Sequence, residues 1–216
     1  MTKAYAIGAA ALVTLMLLVL GALAMFQPPW LRDMLGMDQD PFGPCRTTTA
    51  MGGLDQIGGP FTLVNSLGET VTDAEVLTRP SLIYFGYTFC PDVCPLDVDR
   101  NAVAADILQE MGLEVQPVFV TVDPVRDTPE VLARFVANMH PDMVGLTGTD
   151  EQVRAAVRAY RAFYQRQPGQ DDDFYLIDHS TFSYLVLPKH GFVEVFRREV
   201  SADDLAARMA CFIGAG

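Results

Sequence analysis

The distribution of apolar positions divides this chain into three parts. From Ala4 to Leu31 no residue is charged, and Ala4 to Phe26 is almost wholly apolar. A helix crosses the hydrocarbon core of a bilayer in ~20 residues, so the run predicts one N-terminal transmembrane helix. Lys3 precedes it, and the positive-inside tendency places the N-terminus in the cytoplasm and residues 32 onward outside. The alternative is a cleavable signal peptide, with Ala22-Leu23-Ala24 as the cleavage site. Signal peptides carry an apolar region of ~7–15 residues, and the greater length here favours a retained anchor over residues 1–31. In either case the main domain is exported; the retained anchor makes it a single-pass protein, expected in the bacterial inner membrane with its domain in the periplasm.

Residues 32–57 read as a tether. Prolines and glycines recur there without any sustained period (Gly36, Pro41, Gly43, Pro44, Gly52, Gly53). The domain is expected over 58–216, where the pattern becomes regular. Phe61–Val64 and Ser66–Val71 form a short hairpin. Ser81–Tyr87 and Val115–Val122 are continuous apolar runs, as in strands buried on both faces. Pro95–Met111 has Val103, Ile107, Leu108 and Met111 at helical spacing and stops before Gly112.

Thr128 as N-cap and Pro129 at the first helical position open a helix to about Met139. Val144–Thr147 is a short strand, and Thr149 caps a helix to about Gln165. Thr181–Leu187 and Phe192–Arg197 form a second hairpin, and Ser201 caps a last helix to about Ile213. Strands alternating with helices describe an α/β fold built on a central sheet.

Charge narrows the class of partner. All 27 Asp and Glu lie beyond residue 31, against 15 Lys and Arg in the whole chain. An acidic domain excludes nucleic acid, whose phosphates require clustered Lys and Arg. A domain of this size holds a core without disulfide staples, so its cysteines are more useful as chemistry than as scaffold.

Two of the four cysteines, Cys90 and Cys94, sit where the first buried strand turns into a helix. The positive end of a helix dipole favours thiolate, and thiolate is both a nucleophile for disulfide exchange and a ligand for soft metals. Cys-x-x-x-Cys has one residue more than the thioredoxin spacing, a bite that a bridging metal accepts. Zinc would require four ligands, and no second pair lies nearby, whereas Cu(I) is satisfied by two or three soft ligands. His179 is the natural third ligand, with Asp178 placed to fix its tautomer. His140 and His190 are expected to be solvated. Cys45 and Cys211 either pair in an oxidising compartment or leave Cys211 as a buried apolar group and Cys45 free.

Gly86-Tyr87-Thr88-Phe89-Cys90-Pro91-Asp92-Val93-Cys94-Pro95 resembles the signature loop of the Sco/SenC family of copper proteins. Val122–Pro129 is similar to that family's second motif and Leu146–Thr149 to its third. Tyr175–Ser180 resembles the segment bearing the ligand histidine, and Gly58–Leu63 the entry strand. The resemblance implies a thioredoxin-like fold, a central mixed sheet flanked by helices, on one membrane anchor. It implies copper held by Cys90, Cys94 and His179. The partner it implies is cytochrome c oxidase subunit II, or the copper subunit of another terminal oxidase.

The implied role is a metallochaperone, not an enzyme, delivering copper to the binuclear centre of that subunit; the alternative is a thiol–disulfide oxidoreductase that keeps its cysteines reduced. Ordinary thioredoxins place a cis-proline facing their cysteines, whereas Asp178-His179-Ser180-Thr181 has none, which disfavours a general disulfide reductase. Asp123, Arg126 and Asp127 resemble family residues and are expected to serve loop structure.

Overall fold

The computed structural model describes residues 14, 16–19, 21–22, 40–46, 56–168 and 174–216. The chain divides into two compact units, Met1–Gly43 and Pro44–Gly216. In the first, residues 14, 16–19 and 21–22 are helical. Among the described residues no helix is long and apolar enough to cross a membrane. The anchor expected over 1–31 falls for the most part outside the described residues, as does most of the tether.

The second unit holds a seven-stranded mixed sheet. Its strands are β1 (Thr62–Asn65), β2 (Thr70–Thr72), β3 (Ser81–Gly86), β4 (Gln116–Thr121), β5 (Val144–Thr147), β8 (Ser183–Leu187) and β9 (Gly191–Phe196). They lie in the order β2-β1-β5-β4-β3-β8-β9. The central trio β5, β4 and β3 is parallel, and every other pairing is antiparallel. β3 and β4 are buried at every position, which explains their unbroken apolar sequence. A separate two-stranded ribbon pairs β6 (Tyr164–Arg166) with β7 (Ile177–His179). The helices are α1 (Asp73–Val76), α2 (Val93–Glu110), α3 (Pro129–Met139), α4 (Asp150–Ala159) and α5 (Ala202–Ala215). A central mixed sheet flanked by helices is the thioredoxin-like arrangement.

Three expectations need correction. The helix after Thr149 ends at Ala159, not near Gln165. The chain turns at Tyr160, Arg161 takes a left-handed φ of 49°, and the Ala162 amide closes on the Val157 carbonyl. The freed residues then form β6, which no periodicity announced.

On α2 the stripe read from Val103, Ile107, Leu108 and Met111 is not the buried face, since Val103 and Met111 are exposed. The helix packs against β3 and β4 and also against α5. Two covered sides bury Cys94, Val98, Ala102, Ala105 and Leu108, with Asp97 and Asn101 among them. Buried polar groups need partners: Asp97 accepts from the Tyr84 hydroxyl at 2.9 Å, and Asn101 donates to Ser183 Oγ at 2.9 Å. His140 is likewise buried, not solvated. Its Nδ1 accepts from the Asp142 amide at 3.1 Å, and Nε2 lies 3.2 Å from Asp106. His190 is exposed in the β8–β9 turn.

Cys45 and Cys211 form a disulfide with a Cα–Cα distance of 5.6 Å. It fastens the segment before β1 to α5, settling the choice left open by the sequence in favour of pairing.

Candidate metal centre

β3 delivers the chain to the crevice beyond the carboxyl ends of the parallel strands, where α/β sheets gather ligands. Tyr87–Asp92 loop out there, and α2 begins at Val93, so Cys94 is the second residue of the helix and Cys90 lies just before it. Pro95 is tolerated because first-turn amides have no intrahelical acceptor. Gly86 ends β3 without a side chain for a physical reason: a Cβ there would stand 3.0 Å from Cys94 Sγ and 2.9 Å from Tyr84.

Both cysteines are free thiols, Cys94 fully buried and Cys90 7% exposed. The Cys94 amide donates to Cys90 Sγ at 3.5 Å. Donation from the Cys94 thiol, above all, pulls the Cys90 pKa well below the ordinary thiol range against the opposing effect of burial. His179 and the amides of Asp92 and Cys94 add to the effect. Cys94 is held above that range by donating to Cys90 and by burial. The two thiols are therefore unequal, Cys90 being the more readily ionised of the pair.

His179 ends β7, with Nε2 3.1 Å from Cys94 Sγ. Its Nδ1 lies 2.9 Å from the Ser180 carbonyl. A carbonyl can only accept, so Nδ1 donates there and Nε2 is the ring nitrogen turned toward the sulfurs. Asp178 does not fix this tautomer; it accepts from Gln167 Nε2 at 2.9 Å. The three donor atoms of Cys90, Cys94 and His179 lie within 4.8 Å of one another. Two sulfurs and one imidazole are a donor set that suits a soft ion, and the group can hold copper.

The family model described as SCO1/SenC matches residues 49–214. The chain belongs to the SCO1/SenC family. It is 52% identical over 179 residues to Protein SenC of Rhodobacter capsulatus, covering 82% of this chain and 80% of that one. It is 39% identical over 165 residues to Protein sco1 of Schizosaccharomyces pombe, covering 74% of this chain and 62% of that longer protein. Among solved structures, copper-bound ScoI of Arabidopsis thaliana superposes with a TM-score of 0.68 at 37% identity, covering 72% of this chain and 98% of that one. The SCO1/SenC family serves the copper assembly of cytochrome c oxidase.

The turn after β4 does more than the loop structure expected of it. The fully buried Asp127 carboxylate accepts from the Thr88 amide at 3.0 Å, the Thr88 hydroxyl at 2.5 Å and the Thr121 hydroxyl at 2.6 Å. It thereby holds the loop that leads into Cys90. Four residues earlier, Asp123 accepts from the Tyr175 hydroxyl at 2.6 Å and from Arg126 Nε at 2.5 Å. The Arg126 guanidinium lies 3.5 Å from the Tyr175 ring centroid, so this carboxylate holds the segment that leads into His179. The Ile177 amide donates to the Tyr87 hydroxyl at 3.3 Å and joins the two segments directly. One turn thus sets the distance between cysteines and histidine. The available signal was two aspartates four apart at the end of a buried strand, a pattern that does not reveal what they grip.

Proposed function

We propose that this chain is a copper metallochaperone that binds the ion through Cys90, Cys94 and His179. It delivers copper to the binuclear centre of cytochrome c oxidase subunit II, from a domain tethered to the bacterial inner membrane and facing the periplasm. The observation that carries the reading is the approach of His179 Nε2 to 3.1 Å from Cys94 Sγ, with the opposite ring nitrogen engaged by a carbonyl. An imidazole nitrogen turned on two sulfurs completes a three-donor set for a soft metal, whereas disulfide exchange requires only the two sulfurs.

Copper is the cargo. As each thiol of the acceptor binds, it gives its proton to the sulfur it displaces, Cys90 first and then Cys94, His179 departs with its lone pair, and copper keeps its oxidation state. No turnover is involved, so the chain acts as a carrier and not as an enzyme.

One observation favours the second reading, a thiol–disulfide oxidoreductase acting on the cysteines of the same target. Unequal thiols, one more readily ionised than the other, are what a nucleophilic and resolving pair would have. The two readings separate at His179. Titrating the reduced full-length chain in detergent with Cu(II) should reach an endpoint at one equivalent, with an intense thiolate-to-copper band that His179→Ala weakens. Thiol oxidation without a stable copper species, unaffected by His179→Ala, would favour the reductase.

A further inference from the structure

We infer that the mouth of the metal centre is a docking surface for the copper-accepting protein, an apolar patch edged by carboxylates. The inference rests on the chaperone reading and adds to it where the partner sits. Among the described residues beyond Gly43, nine large apolar side chains are exposed, and six of them surround the site: Phe89, Leu96, Val125, Phe163, Phe174 and Leu176.

Their placement follows from the bonds that build the site. Phe89 adjoins Cys90, and Leu96 shares the first turn of α2 with Cys94. The Arg126 guanidinium, 4.9 Å from the Phe89 ring and 3.5 Å from the Tyr175 ring, brings the cysteine loop beside the Phe174–Leu176 segment. Val125 adjoins that arginine. Phe163 exchanges bonds with Ser180, its carbonyl accepting from the Ser180 amide and its amide donating to Ser180 Oγ, both at 2.9 Å. Phe174 and Val125 are 79% and 78% exposed, although neither covers any part of the core.

Exposed apolar side chains gathered in one place mark an interaction site. The occupant follows from the chemistry of transfer. Cys90 Sγ is nearly covered, and thiolate exchange requires the acceptor's sulfur to reach the same ion, so the accepting surface must lie against these side chains. Exposed Asp92 and Asp178 edge the mouth, beside exposed Arg166 at 3.9 Å from the Tyr175 ring, in a chain whose formal net charge is −12. The complementary partner is a protein face with apolar groups around its thiols and a cationic rim.

The test follows copper passing from the loaded full-length chain, in detergent, to the apo copper domain of cytochrome c oxidase subunit II. Phe163→Ser combined with Phe174→Ser should leave the thiolate-to-copper band intact and lower the second-order transfer rate at least tenfold. Val125→Ser alone should lower it about threefold, within what one peripheral contact contributes. Two exposed apolar residues far from the site serve as controls and should transfer at the wild-type rate when changed to serine. Met111 follows the far end of the 18-residue α2, ~26 Å from Cys94 at 1.5 Å per residue. Leu67 lies in the β1–β2 turn, at the end of the sheet opposite the carboxyl ends of β3 and β4.

Added salt should slow the wild-type transfer. Full-rate transfer by the double variant overturns the surface while leaving the chaperone reading in place. Loss of the copper band in both the double variant and Val125→Ser also overturns it, by assigning these side chains to the metal centre itself. No transfer by the wild-type chain overturns the surface and the reading beneath it together.

Discussion

Cys90 and Cys94 carry the same side chain and differ in everything that decides its chemistry. Cys90 receives the Cys94 thiol and two amides of the opening helix, while Cys94 is enclosed beside Tyr84 and Phe119. With its folded-state pKa depressed, Cys90 contributes stability that is full above the unfolded thiol value of ~8.5 and is lost as pH falls through the folded value. In the copper-free reduced chain, the ultraviolet absorbance of one thiolate should therefore persist as pH is lowered well below that range. Cys90→Ser should abolish this absorbance at neutral pH. Asp127 acts on the same loop through hydrogen bonds alone. Asp127→Ala strands the Thr88 amide and two hydroxyls, and should cost about 2–3 kcal/mol of stability, read as a shift of the urea midpoint. Residue types and spacing made the three candidate donors, which the structure brings within 4.8 Å of one another, legible, because thiols at a strand-to-helix junction have few other uses. The supporting carboxylates were not legible, because an aspartate in a turn has many.

Among the elements, those with a strong local signal matched expectation. α3 begins after Thr128, whose side chain accepts from the Val131 amide, and α5 begins after Ser201, which accepts from the Asp204 amide. β3 and β4 follow their apolar runs. The failures have one cause, which is that tertiary partners outweighed local pattern. α2 has no single polar face because α5 covers a second side of it, and β6 exists only because β7 pairs with it. That ribbon carries His179, with Tyr164 opposite it and Gln165 opposite Asp178. Proline at Gln165 removes an amide from the middle of β6 and should loosen the histidine while sparing the cysteines. Cu(II) affinity should fall at least about tenfold, the usual scale for disturbing a ligand's support. The reactivity of the two thiols should stay as in the parent chain.

Across the whole molecule, the Cys45–Cys211 disulfide spans a sequence separation of 166, nearly the entire second unit. Closing so long a loop restricts the unfolded chain more than it alters the native one. Cys45→Ser with Cys211→Ser should thus lower stability by about 3 kcal/mol in urea unfolding, with the copper band unchanged because the bridge lies on α5 and not at the site. Cysteine content left this pairing open, since two distant thiols carry no information about their separation in space. The arrangement as a whole divides the work. The sheet and the bridge supply a rigid frame, the Asp123–Asp127 turn sets the spacing of the Cys90, Cys94 and His179 donors, and the rim stays exposed.

X-ray absorption at the copper edge of the loaded full-length chain tests the central claim most directly. It should show two sulfur scatterers and one imidazole nitrogen per copper, the nitrogen lost in His179→Ala and one sulfur lost in Cys90→Ser. A shell of nitrogen and oxygen alone, or a nitrogen that survives His179→Ala, would contradict the Cys90–Cys94–His179 centre.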